Sequence, residues 1–72
     1  MKVDEAIRAV RDQCPNAYAR AYAREAGAAA ADGGTAALRA QINYMLANMR
    51  NWKGGFAREV KEALRRYVRE HA

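Results

Sequence analysis

Apolar residues recur along the chain at helical intervals, and proline or paired glycines interrupt the pattern at three places. Val3, Ile7, Val10 and Cys14 stand four, three and four residues apart, which puts them on one face of a helix. Pro15 ends that helix, because a proline disfavours helical geometry in the residue before it, and its own ring suits the first turn of the next helix. A second helix therefore runs from Pro15 or Asn16 through Tyr18, Tyr22 and Ala26. Gly27 leaves open whether it continues into the alanine run at Ala28, Ala29, Ala30 and Ala31. Asp32-Gly33-Gly34 is the strongest internal break, since consecutive glycines cost a helix stability and favour a turn. Thr35 reads as the N-cap of a third helix starting near Ala36. Leu38, Ile42, Met45, Met49 and Trp52 follow at intervals of four, three, four and three, a seam for packing against another helix. Gly54-Gly55 closes that helix, and Phe56 opens a fourth carrying Val60, Ala63, Leu64, Tyr67 and Val68. With no strand-like alternation, the pattern predicts an all-α fold: a small bundle of about four helices. The third and fourth form a C-terminal helical hairpin with a short joint.

Length limits how such a bundle is stabilised. Seventy-two residues make a single helical domain over 1–72, because a chain of this size buries only about 60% of its unfolded surface. Cys14 is the only cysteine, so no disulfide within the chain can help, and no His, Cys or carboxylate cluster has metal-ligand spacing. Neither a metal nor another cofactor is expected. Self-association is the remaining route to stability, so a homo-oligomer is expected. The start of the chain lacks the basic segment and apolar run of a signal peptide, and no apolar run approaches the roughly 20 residues that span a bilayer. A cytoplasmic protein without a membrane partner is the simplest expectation, and a lone cysteine suits a reducing compartment.

The formal charge of +5 directs attention to anionic partners, namely nucleic acid, nucleotides or an acidic protein face. The excess of arginine and alanine also fits a GC-rich genome, which accounts for part of the basicity. At about 100° per residue, the fourth helix divides into three arcs. Phe56, Val60, Ala63, Leu64, Tyr67 and Val68 form the core arc. Glu59, Glu62, Arg66 and Glu70 form a second arc in which Arg66 can pair with Glu62 or Glu70. Arg58, Lys61, Arg65 and Arg69 form the third, offset in part by Glu62 alone. That row reads as a solvated face, an anion-binding stripe or a salt-bridged interface. Arg20 and Arg24 repeat the theme on the second helix and extend the basic surface if the helices pack side by side. Tyr18, Tyr22, Tyr44, Tyr67 and Trp52 suit core or interface packing, or stacking on a base. In Trp52-Lys53-Gly54-Gly55 an aromatic face, a cation and the free amides of a helix N-terminus come together, an anion site in one reading and a plain C-cap turn in the other.

Signatures of assembled catalysis are sparse. Serine is absent, Thr35 is the only threonine and His71 the only histidine. Cys14 belongs to the apolar face begun by Val3, so it reads as a buried thiol and not as a nucleophile paired with His71. No GxxxxGK or GxGxxG phosphate loop is present. The chain is expected to bind and not to catalyse.

The stretch from Leu38 to Gly54, with Ala57-Arg58-Glu59-Val60-Lys61 after it, resembles small phage-encoded helical proteins. Those look like Leu-x-x-Gln-(Ile/Val)-x-Tyr-(Ile/Leu)-Leu-x-Asn-(Leu/Met)-x-x-Trp-(Arg/Lys)-Gly followed by a basic helix. The likeness covers the C-terminal half and, weakly, Pro15 to Tyr18. Gln41, Tyr44, Asn48, Trp52, Lys53 and Gly54 match it, while Gly55 replaces the more usual charged residue. The resemblance implies a phage origin and no particular activity. Gln41, Tyr44 and Asn48 can share one helix face, where buried amides require partners, across an oligomer interface or within a site. The leading expectation is a phage accessory protein, a helical oligomer that captures a signalling nucleotide or an acidic host-protein surface and so blocks a host process such as defence. The alternative is a nucleic-acid-binding regulator with helices three and four as a helix-turn-helix. A plain oligomerisation module is a third.

Overall fold

The computed structural model describes residues 1–71 and contains four helices: α1 Val3–Gln13, α2 Ala17–Ala31, α3 Thr35–Ala47 and α4 Gly55–Glu70. Local chemistry fixes most of the boundaries. Glu5 accepts the Lys2 amide at 3.3 Å and closes the start of α1. The amide of Cys14 reaches the Val10 carbonyl at 3.1 Å before Pro15 stops the helix. Asn16 caps α2, its Oδ1 accepting from the Ala19 amide at 2.9 Å. The helix then passes through Gly27 and takes in the alanine run.

At the end of α2 the chain makes a Schellman turn. Gly33 adopts φ 75°, its amide bonds to Ala30 and the amide of Gly34 bonds to Ala29. Gly34, and not Thr35, is the N-cap of α3, and Thr35 is the first helical residue. The turn places Gly34 where its carbonyl already takes the Leu38 amide, so the helix starts one residue earlier than the threonine cap predicts.

The end of α3 differs more. The helix stops at Ala47, and residues 48–52 continue as tight turns with bonds from Asn48 to Met45, Met49 to Leu46 and Trp52 to Met49. Met49 remains buried, whereas Trp52 is half-buried outside the helix. The apolar seam thus outlasts the helix, because side-chain burial persists in a turn that repeats every three residues. Asn48 assists the exit, its Nδ2 donating to the Tyr44 carbonyl at 2.9 Å.

The helices pack in a ring: α1 on α2, α2 on α3, α3 on α4, and α4 back on α1, with no packing between α2 and α4. The α2–α3 pair is the most extensive. The buried residues of α2 are all alanine (Ala19, Ala23 and Ala26), small side chains that let neighbouring helices approach closely. Tyr22 and Tyr44, each eleven residues from Gly33, bring their rings to 5.3 Å, as an antiparallel hairpin requires. Ile42, Met45, Met49, Leu64, Val10, Val60 and Cys14 are the largest fully buried side chains. Phe56 departs from its expected core place and is 42% exposed, while Ala57 takes the buried position. No helix among the described residues is long and apolar enough to cross a membrane.

Candidate functional site

The joint between α3 and α4 spans seven residues, 48 to 54, and is held from both sides. Lys61, in the second turn of α4, donates its ammonium to the Trp52 carbonyl. Phe56 sets its ring edge-on to Trp52, with centroids 6.2 Å apart and planes at 77°. Gly54 takes φ 116°, ψ 168°, an extended conformation open to glycine, and α4 begins at once. No side chain caps that start, and the first intrahelical bond runs from Arg58 to the Gly54 carbonyl. The amides of Gly55, Phe56 and Ala57 therefore carry the positive end of the α4 dipole without a helical acceptor.

A groove of about 320 Å³ opens there, lined by Trp52, Lys53, Gly54, Arg58, Lys61 and Arg65. Four of its six lining residues are cations and none is acidic, so the field is of one sign. Within the described residues no ion pair or hydrogen bond engages the side chain of Lys53, Arg58 or Arg65. Two of the three carboxylates of α4 are occupied elsewhere, Glu62 with Arg69 at 3.0 Å and Glu70 with Arg66 at 3.8 Å, and the third, Glu59, does not line the groove. Arg66 also donates to the Met1 carbonyl at 2.7 Å. The hydrogen bond from Arg69, reinforced by its charge, holds the Glu62 carboxyl below its usual range.

The expected basic stripe is therefore redistributed. Arg58, Lys61 and Arg65 meet in the groove together with Trp52, Lys53 and Gly54, but Arg69 is neutralised by Glu62. Arg20 and Arg24 do not extend the surface, because α2 does not touch α4. Arg20 instead donates to the Cys14 carbonyl at 2.7 Å and secures the α1–α2 corner. Arg24 lines a separate hollow of about 520 Å³ with Asp4, Ile7, Arg8, Arg11, Ala23, Gly27 and Ala30. That larger hollow is charge-mixed: Arg8 lies 3.4 Å from Asp4, and Arg11 is bonded to Asp12 at 2.9 Å.

Gln41, Tyr44 and Asn48 stay outside the groove. Asn48 is spent on the Tyr44 carbonyl, Tyr44 is 52% exposed beside Tyr22, and the buried Oε1 of Gln41 has no partner among the described residues. Sequence reasoning missed two contributors to the joint, the clasp of Lys61 on the Trp52 carbonyl and the edge contact of Phe56. Both depend on α4 folding back on residues 48–54, which periodicity does not encode. Among the described residues no group of His, Cys, Asp and Glu is placed to hold a metal ion. Comparison with known protein families, with curated proteins and with solved structures finds no match.

Proposed function

We propose that the protein is a small phage-type accessory protein that captures an anionic partner in the α3–α4 groove, and thereby modulates or blocks a host process such as defence. The observation that carries this reading is a groove with four cationic side chains and no acidic one, beside an uncapped helix N-terminus. Three of those cations have no internal partner, so an incoming anion displaces water and not a native ion pair. The likeness of Leu38 to Gly54 to phage-encoded proteins supports the origin. Action in the host cytoplasm and assembly into a homo-oligomer belong to the same proposal. The α2–α3 face suits self-association, since α3 carries a single charge, Arg39, and Tyr18 and Tyr44 are exposed.

Calorimetric titration of the protein with cyclic and linear nucleotides and with acidic host proteins tests the reading. Salt-sensitive binding that falls with Arg58→Gln is the expected result, and no binding across both sets removes the proposal. Nucleic-acid binding is the competing outcome, read by salt-sensitive retention of DNA or RNA in a gel. The seven-residue joint favours it less, because a helix-turn-helix uses a turn of about three to four residues.

A further inference from the structure

Resting on the reading of the α3–α4 groove as an anion site, we propose that its ligand is a nucleotide bearing two or more linked phosphates, with the phosphates on Lys53, Arg58 and Arg65 and the base against Trp52. The first argument is charge. A phosphate monoester carries about −1.5 to −2, so one phosphate leaves roughly half of four cations uncompensated, whereas a diphosphate or triphosphate matches them. The second is spacing. Arg58 and Arg65 lie seven residues apart on α4, about 10 Å along the axis at 1.5 Å per residue, with Lys61 between them and Lys53 at the helix start. A single phosphate does not reach both ends of such a row; a chain of phosphates does, and guanidinium forks suit phosphate oxygens. The third is the wall. Trp52 is the one aromatic lining the groove, half-buried and braced edge-on by Phe56, so its ring is held in place for stacking. An acidic peptide has use for the cations but none for a fixed indole.

The chain has one tryptophan, so its emission reports on this wall of the groove, and tripolyphosphate, which has no base, separates the effect of charge from that of stacking. The test titrates the full chain, free of divalent cations, with a nucleoside monophosphate, diphosphate and triphosphate, with inorganic tripolyphosphate and with a hexaglutamate peptide, by calorimetry and by Trp52 fluorescence. The proposal expects affinity to rise at least tenfold from mono- to triphosphate, and emission to be quenched by nucleotides but not by tripolyphosphate. It also expects a tenfold or larger loss for Arg58→Gln combined with Arg65→Gln, and no loss for Arg24→Gln. Helix content by circular dichroism accompanies each variant. Should the double glutamine variant lose helix, the Arg58→Lys, Arg65→Lys pair replaces it, with an expected loss of several-fold as forked contacts become point charges. Affinity indifferent to phosphate number, or nucleotide binding without quenching, overturns the proposal. Binding of hexaglutamate at the same arginines with none of the nucleotides also overturns it while leaving the anion site standing. If neither nucleotide nor peptide binds, both readings fall.

Discussion

At the scale of single residues, the molecule shows how one side chain can fix a connection that has no regular structure. Lys61 brings its ammonium to the Trp52 carbonyl, a charged hydrogen bond at a half-buried position. Lys61→Met removes the donor and keeps much of the stem, so stability should fall by about 1–2 kcal/mol in urea unfolding, with Trp52 emission shifting to longer wavelength. Gly54 is constrained differently. A Cβ placed there meets nothing within 4 Å, so the φ of 116° is the whole obstacle. Gly54→Ala should cost about 1–3 kcal/mol through the backbone alone, read from the same unfolding curves. Glu62 gives the pH dependence. Its carboxyl is held low in the folded state, chiefly by the Arg69 hydrogen bond, so the pairing contributes above the unfolded carboxylate pKa and is lost as pH falls through the lower folded value. An NMR titration should find Glu62 titrating below the ordinary glutamate range, and Arg69→Gln should return it there. Both groups are exposed, so the effect on global stability should be small.

At the scale of elements, α2 and α4 solve the burial problem in opposite ways. α2 buries only alanines, so its stability comes from close approach to α3 and from the Asn16 cap. Ala26 is fully buried, and Ala26→Leu should overpack its surroundings and cost about 1–3 kcal/mol by thermal unfolding, despite leucine being a good helix former. α4 instead places Val60 and Leu64 in the core and keeps its remaining faces charged, with Glu62 paired to Arg69 and Glu70 to Arg66. None of its carboxylates lines the groove, which keeps a single sign. Glu62→Gln should release Arg69 and leave α4 one unit more positive, strengthening anion binding at low salt with the gain fading as salt rises.

At the scale of the whole molecule, the closed ring of packing decides which charged residues meet. Because α4 sits between α3 and α1 and does not meet α2, the cations of α2 and those of α4 lie in separate hollows. The hollow between α1 and α2 is the larger, yet Asp4 and Asp12 offset its arginines, so size and ligand preference diverge. Copies of the chain repel through their α4 sides, where five bases outnumber three acids, whereas α3 carries one charge, so the charge-poor α2–α3 face is the one the proposed self-association would use. Sedimentation should show any oligomer weakened by Tyr44→Glu and little affected by Arg65→Gln.

Helix number, type and most boundaries were legible in the sequence, because they follow from local causes: the period of Val3, Ile7 and Val10, the stop at Pro15, the Asp32-Gly33-Gly34 turn and the start of α4 at Gly54-Gly55; the end of α3 at Ala47 was not. The large aliphatic core residues were legible for the same reason, whereas the buried alanines Ala6, Ala9, Ala19 and Ala23 were not, and Tyr18, Tyr44 and Phe56 are exposed. The six residues that line the groove, Trp52, Lys53, Gly54, Arg58, Lys61 and Arg65, are half of the twelve the sequence offers as candidates, and the other six lie outside it. What the tertiary structure alone decided is which of the predicted cations act together. Arg20 was drawn to the Cys14 carbonyl and Arg69 to Glu62, while Arg24 was carried to another hollow. Those outcomes depend on which helices are neighbours and which carboxylate reaches first. Helical periodicity assigns residues to a face of their own helix and leaves the neighbour of that face undetermined.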